Sequence, residues 1–89
     1  VEATTYNVLA ADRILLCKPA TAGGAITVNL PAVATSAGRR LVVKHADGDA
    51  ASVTVDGNAA ETIDGATTDV LATRDARTML CDGVAWHVL

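Results

Sequence analysis

The pattern of apolar residues predicts a small all-β domain, an antiparallel sandwich or barrel-like sheet with short turns and a C-terminal hairpin. Ala25 to Leu30 alternates cleanly, with Ile26, Val28 and Leu30 on one face and Thr27 and Asn29 on the other. That is the period of a half-buried strand. Gly, Asp-Gly and Pro punctuate the chain at short intervals, and short strands between such turns build sandwiches or barrels. No stretch sustains a helical period. The whole chain, 1–89, reads as a single β domain.

The remaining elements are organised around Leu30 to Lys44. Pro31 suits the first position of a one-turn connector because its ring fixes φ. Gly38 stands where that connector must reverse, a place for positive φ. Leu41-Val42-Val43 then reads as a strand apolar on both sides, suited to a sheet centre or a subunit contact.

Ahead of that stretch, Thr4 to Leu9 forms a first strand with Tyr6 and Val8 on one face. From Asp12 a second follows, in which Ile14, Leu16 and Lys18 alternate against Leu15 and Cys17. Pro19 closes it and Thr21-Ala22-Gly23-Gly24 is a flexible turn. Beyond it, His45 to Ser52 is a polar turn, Val53-Thr54-Val55 a short strand, and Ile63 the anchor of an extended piece. Asp69 to Arg74 forms a further short strand through Val70 and Leu71. Thr78 to Cys81, Asp82-Gly83 and Val84 to Leu89 make the hairpin, since Asp-Gly favours a two-residue type I′ turn. That turn would set Cys81 opposite Val84 and Met79 opposite Trp86. Leu80, Ala85 and Leu89 fall on the other face. Leu41, Val43, Met79, Trp86 and Val88 are the expected core, with Leu80, Ala85 and Leu89 as the expected subunit contact.

Composition bounds what such a domain can do. The hydrophobic fraction is 51%, yet there is one Trp, one Tyr and no Phe. Alanine adds little core volume, and small domains bury a smaller share of their surface. Chains in that position gain stability from disulfides, a metal or partner subunits, and partner subunits are the expectation here. The net charge of −3 argues against nucleic acid, which calls for a basic stripe. No apolar run is long enough to span a bilayer.

Candidate chemistry is sparse. Cys17 and Cys81 leave a disulfide open, although buried free thiols are the commoner state. They form no CxxC or Cys/His pair with metal spacing. His45 and His87 lack any GxSxG, HExxH or Cys/His signature, so no catalytic residue is expected. Asp47, Asp49, Asp56 and Asp64 sit in turns, where Asp hydrogen-bonds its own backbone. Asp47-Gly48-Asp49 runs into Ala50-Ala51, which breaks the calcium-loop pattern. Gly23-Gly24 opens a strand instead of a helix and is no phosphate cradle. Arg39-Arg40 could meet an acidic partner, since guanidinium forks suit carboxylates, but solvated charges guarding a strand edge are the simpler reading. No cofactor and no metal is expected.

The order of these motifs resembles a known family. The run comprises Tyr6 and Val8, Asp12, Ile14, Ile26-Thr27-Val28-Asn29-Leu30-Pro31, Gly38-Arg39-Arg40-Leu41-Val42-Val43-Lys44 and Val53-Thr54-Val55. It ends in Thr62-Ile63-Asp64-Gly65 and Asp82-Gly83-Val84-Ala85-Trp86-His87-Val88. It is similar to small β domains of tailed-bacteriophage virion proteins, found in tail fibres, head fibres or spikes and capsid decorations. The resemblance implies a non-enzymatic structural component of the virion, built as a homotrimer, whose partners are itself and other capsid or tail proteins. The alternative is a receptor- or carbohydrate-binding tip of a tail fibre, with a host surface glycan as partner. Asp75-Ala76-Arg77 stands where relatives carry polar or aromatic residues before the final hairpin.

Overall fold

A computed structural model describes residues 1–89. The chain forms β1 (Thr5–Asn7), β2 (Ile14–Cys17), a one-turn helix α1 (Pro19–Ala22), β3 (Ile26–Asn29) and a 3₁₀ turn (Val33–Thr35). It continues as β4 (Arg40–His45), β5 (Val53–Asp56), β6 (Thr68–Leu71), β7 (Ala76–Cys81) and β8 (Trp86–Val88). The first sheet has the order β1-β3-β5-β6 and the second β2-β4-β7-β8.

Both sheets are mixed, which corrects the expected antiparallel arrangement. β1 pairs with β3, β3 with β5 and β2 with β4 in parallel. The reason is the path of the chain. From β1 to β5 each strand is followed by one in the other sheet, so a sheet is re-entered only after a full winding, in the same direction. A parallel pair needs a long crossover, and here a strand of the opposite sheet supplies it. Only the last strands break the rule: β6 folds back on β5, and β7 and β8 run antiparallel beside β4. The winding continues at the N-terminus. Val1 donates its ammonium hydrogen to Leu16 O and accepts from Lys18 N at 3.0 Å. Those two bonds are the pattern of a parallel bridge on the free edge of β2.

Turn chemistry explains where strands stop. Pro19 occupies the first turn of α1, and Gly23, at φ 87°, caps its end with its amide on Pro19 O. The flexible turn expected there is therefore a helical turn with a left-handed cap. After Pro31 the connector forms as the 3₁₀ turn, whose Val33 amide donates to Glu61 Oε1 at 3.1 Å. Gly38 takes φ 79°, as its place requires. Gly57 is needed for space: a β-carbon there would stand 2.2 Å from Glu61 O.

The C-terminal hairpin forms two residues away from the expected register. Cys81 faces Trp86 and Met79 faces Val88, with Gly83 and Val84 in the bend. Asp82 is the cause. Its Oδ1 accepts from the amides of Val84 and Ala85, both at 2.8 Å, so it stands before the bend and not within it. A slip of two preserves the faces of a strand, so Met79, Cys81 and Trp86 still turn inward, while Val84 moves into the bend and is exposed.

One core joins the sheets. Leu41, Val43, Met79 and Trp86 are fully buried, together with Ile26, Val28, Val53, Val55 and Leu71. Val88 is half-buried and packs against that cluster. Ile63 is buried too, bridging to Ala66 and to Trp86. Cys17 and Cys81 are both buried and free.

Trp86→Ala should cost about 3–5 kcal/mol, as expected for removing a buried indole. Urea denaturation followed by circular dichroism checks this, and a near-unchanged midpoint would contradict the packing. Gly57→Ala should lower stability by at least about 1–3 kcal/mol through overpacking, read by the same melt.

Candidate functional site

The two sheets differ on the faces they turn away from the core. On the first, register aligns Thr5, Thr27, Thr54 and Val70 in one row and Asn7, Asn29, Asp56 and Thr68 in the next. Asn29 Nδ2 donates to Asn7 Oδ1 at 2.9 Å along that row. Such a face is suited to water.

The second sheet carries an apolar cluster on its outer face, bordered by Arg40, Lys44 and His87. Ile14, Val42 and Thr78 form a row that Leu89 extends through its amide bond to Thr78 O. Leu16, Lys44 and Ala76 form a second row, and Arg40, Leu80 and His87 a third. Ile14 is 65% exposed, Leu16 51% and Leu89 65%, while Val42 and Leu80 are half-buried. Lys44 lays its stem on this face and sends its ammonium to Arg74 O at 2.7 Å, the usual way a lysine covers apolar surface.

Of the three expected contact residues, Leu80 and Leu89 share this face. Ala85 does not extend it. It lies at the hairpin end, where its amide and carbonyl close the bend against Asp82. Sequence reasoning missed Ile14 and Leu16 as members of the face. The signal was present, because the segment is apolar at both parities and only one parity could enter the core.

His45 is fully buried beside Cys17 in the parallel register. Its Nε2 donates to Ala51 O at 2.8 Å, and its Nδ1 has no hydrogen-bond partner, with Asp47 Oδ1 3.8 Å away. The fold thus joins a cysteine and a histidine far apart in sequence. Both are sealed from solvent, and burial pushes the Cys17 thiol up, which disfavours the nucleophilic thiolate. His87 lies on the outer face of β8 with Nε2 2.8 Å from Asp82 Oδ2.

Of the four aspartates expected in turns, Asp47, Asp49 and Asp64 serve the backbone, while Asp56 ends β5 instead. Asp47 Oδ1 accepts from Asp49 N at 3.0 Å, and Asp49 Oδ1 from Ala51 N at 2.7 Å. Asp64 Oδ1 accepts from Val88 N at 3.1 Å. No three His, Cys, Asp or Glu side chains converge as metal ligands. Burial alone would raise the Asp47 carboxyl, but the amides of Asp49 and Ala20 bring it below its ordinary value. Asp12 is lowered by the Tyr6 hydroxyl, which donates to its Oδ2 at 2.6 Å, and by the Leu9 amide.

Arg39 is no free edge charge, which corrects the simpler expectation for the Arg39-Arg40 pair. Its Nη2 donates to Leu9 O at 2.6 Å and to Asp12 O at 2.8 Å, clamping the turn between β1 and β2 to the start of β4. Arg40 remains exposed. No protein-family model matches the chain, and no curated protein matches it.

Acid sensitivity follows from Asp82. The Ala85 amide, the His87 side chain and the Val84 amide hold its carboxyl at about 2, below the ordinary 3.8. A carboxyl depressed on folding stabilises fully above its unfolded value and loses that contribution as pH falls through the folded one. Stability should therefore fall between pH 3.8 and about 2. Asp82→Asn should lack that share of the fall, so its urea midpoint should approach that of the parent protein as pH drops. A constant gap across the window would contradict the assignment.

Proposed function

We propose that this chain is a non-enzymatic structural module of a tailed-phage virion. It assembles as a homotrimer on a fibre, spike or capsid surface through the outer face of its second sheet. The observation that carries the reading is the contrast between the two outer faces. One is a ladder of Thr and Asn with Val70 as its single exposed apolar member, and the other exposes Ile14, Leu16 and Leu89 around half-buried Val42 and Leu80. Clustered apolar exposure of that kind marks an interaction surface. A second copy is the occupant that fits, since the chain has few large side chains for its own core and gains burial by self-association. The resemblance of the motif order to phage virion domains supports the same reading, with the virion as its location and capsid or tail proteins as its other partners.

A receptor- or glycan-binding tip has less support. Sugar recognition draws on exposed aromatic rings, and here Trp86 is buried while Tyr6 is tied to Asp12.

Light scattering at several concentrations should give a stable mass of three chains. Leu80→Asp and Ile14→Asp should each reduce it to one chain while leaving the far-ultraviolet circular dichroism unchanged. A monomeric parent protein, or variants that keep the parent mass, would overturn the subunit assignment. The virion placement is tested separately, by quantitative mass spectrometry of purified particles of a phage that encodes the chain. Absence of the chain from those particles would overturn it.

A further inference from the structure

Three of the seven Lys and Arg residues of this acidic chain gather at one place. A cavity of about 340 Å³ lies between the turn that precedes β2 and the turn that precedes β4. It is lined by Ala10, Asp12, Arg13, Gly38, Arg39 and Arg40. The three guanidiniums differ in how they are held. Arg39 is anchored through Nη2 by two backbone carbonyls, Leu9 O and Asp12 O, which leaves its Nε and Nη1 without a protein acceptor. Among the ion pairs and side-chain hydrogen bonds of the fold, which include those of Arg74 and Arg77, none uses the guanidinium of Arg13 or Arg40.

The one carboxylate in the lining is already engaged. Asp12 Oδ2 accepts from Tyr6 Oη at 2.6 Å and from Leu9 N at 2.9 Å. Its charge offsets one of three, so the cavity carries a formal surplus of two positive charges in a chain of net charge −3. Like charges brought together without a counter-ion repel, and an anion placed among them relieves that repulsion. Guanidinium forks match the planar and tetrahedral oxygens of oxyanions, and a fork held rigid beforehand loses less entropy on binding.

We infer that the Arg13, Arg39 and Arg40 cavity is a binding site for a tetrahedral dianion, a phosphate or sulfate group. Arg39 is the fixed anchor, and Arg13 and Arg40 close on the anion from the rim. The group can arrive free or as the ester of a small sugar, and the cavity, at the lower end of the size of small-ligand sites, admits either. Arg40 stands opposite Leu80 at the border of the proposed subunit contact, whereas Arg39 is anchored away from it by Leu9 O and Asp12 O, so the site rests on charge and clamping and not on the apolar rows.

The test is isothermal titration of the purified protein, in whatever oligomeric state it adopts, with inorganic phosphate, sulfate and glucose 6-phosphate. It is run in about 0.15 M sodium chloride to screen diffuse attraction. Saturable binding is expected, with a shift of the Arg39 Nε–H resonance. Arg13→Gln and Arg40→Gln should each weaken it about tenfold, the loss of a charge-assisted hydrogen bond. Neither side chain holds the fold, so both variants keep their structure. Lys18→Gln, with the same change of charge outside the cavity, should bind as the parent does. Tighter binding of the sugar phosphate than of both inorganic anions identifies an ester-borne group, and equal or weaker binding a free one. No saturable binding, or an equal loss in all three variants, would overturn the site.

Discussion

The fold depends on strands that return to their own sheet only after visiting the other. Because β2 separates β1 from β3, and β3 separates β2 from β4, each sheet grows by parallel addition and every winding closes another layer of core. Ile26 and Val53 stack in the first sheet while Leu15 and Val43 stack in the second. The antiparallel strands at the C-terminal end stop the winding, and Trp86 seals it between Cys81 and Ile63.

Aspartates set the lengths of the segments between strands. Asp12, Asp47, Asp49, Asp75 and Asp82 each accept a backbone amide two or three positions away, Asp12 and Asp75 from an earlier residue and the others from a later one. In a chain with few large side chains, such turns limit the conformations available to the loops and let short strands pair. Asp12, Asp47 and Asp82, whose carboxyls are held below their ordinary value, link stability to acid, because protonation weakens the hydrogen bonds that define their turns.

The surface divides along the two sheets. A Thr and Asn ladder can remain in water, whereas the apolar rows of the second sheet are better covered. The arginine cavity lies where the first winding meets the start of β4. There the Arg39 clamp makes one part of the fold serve both the turn it holds and the charge it presents.

Much was legible in the residues. The alternation of Ile26, Val28 and Leu30, the positive φ of Gly38, and the inward set of Leu41, Val43, Met79 and Trp86 follow from period and turn chemistry, which act over a few residues. Leu80 and Leu89 could be assigned to an outer face for the same reason. Strand direction could not be read, since a hairpin and a winding begin with the same turn residues. Nor could the pairing of Cys17 with His45, the joining of Ile14 and Leu16 to Leu89, or the capture of Leu9 O and Asp12 O by Arg39. Each spans distant segments and exists only once the parallel register is set. The sequence by itself determined which residues turn inward and where the chain bends, because those are local sterics. The tertiary structure alone decided which strands lie side by side, because only the closed core selects among pairings of equal local merit.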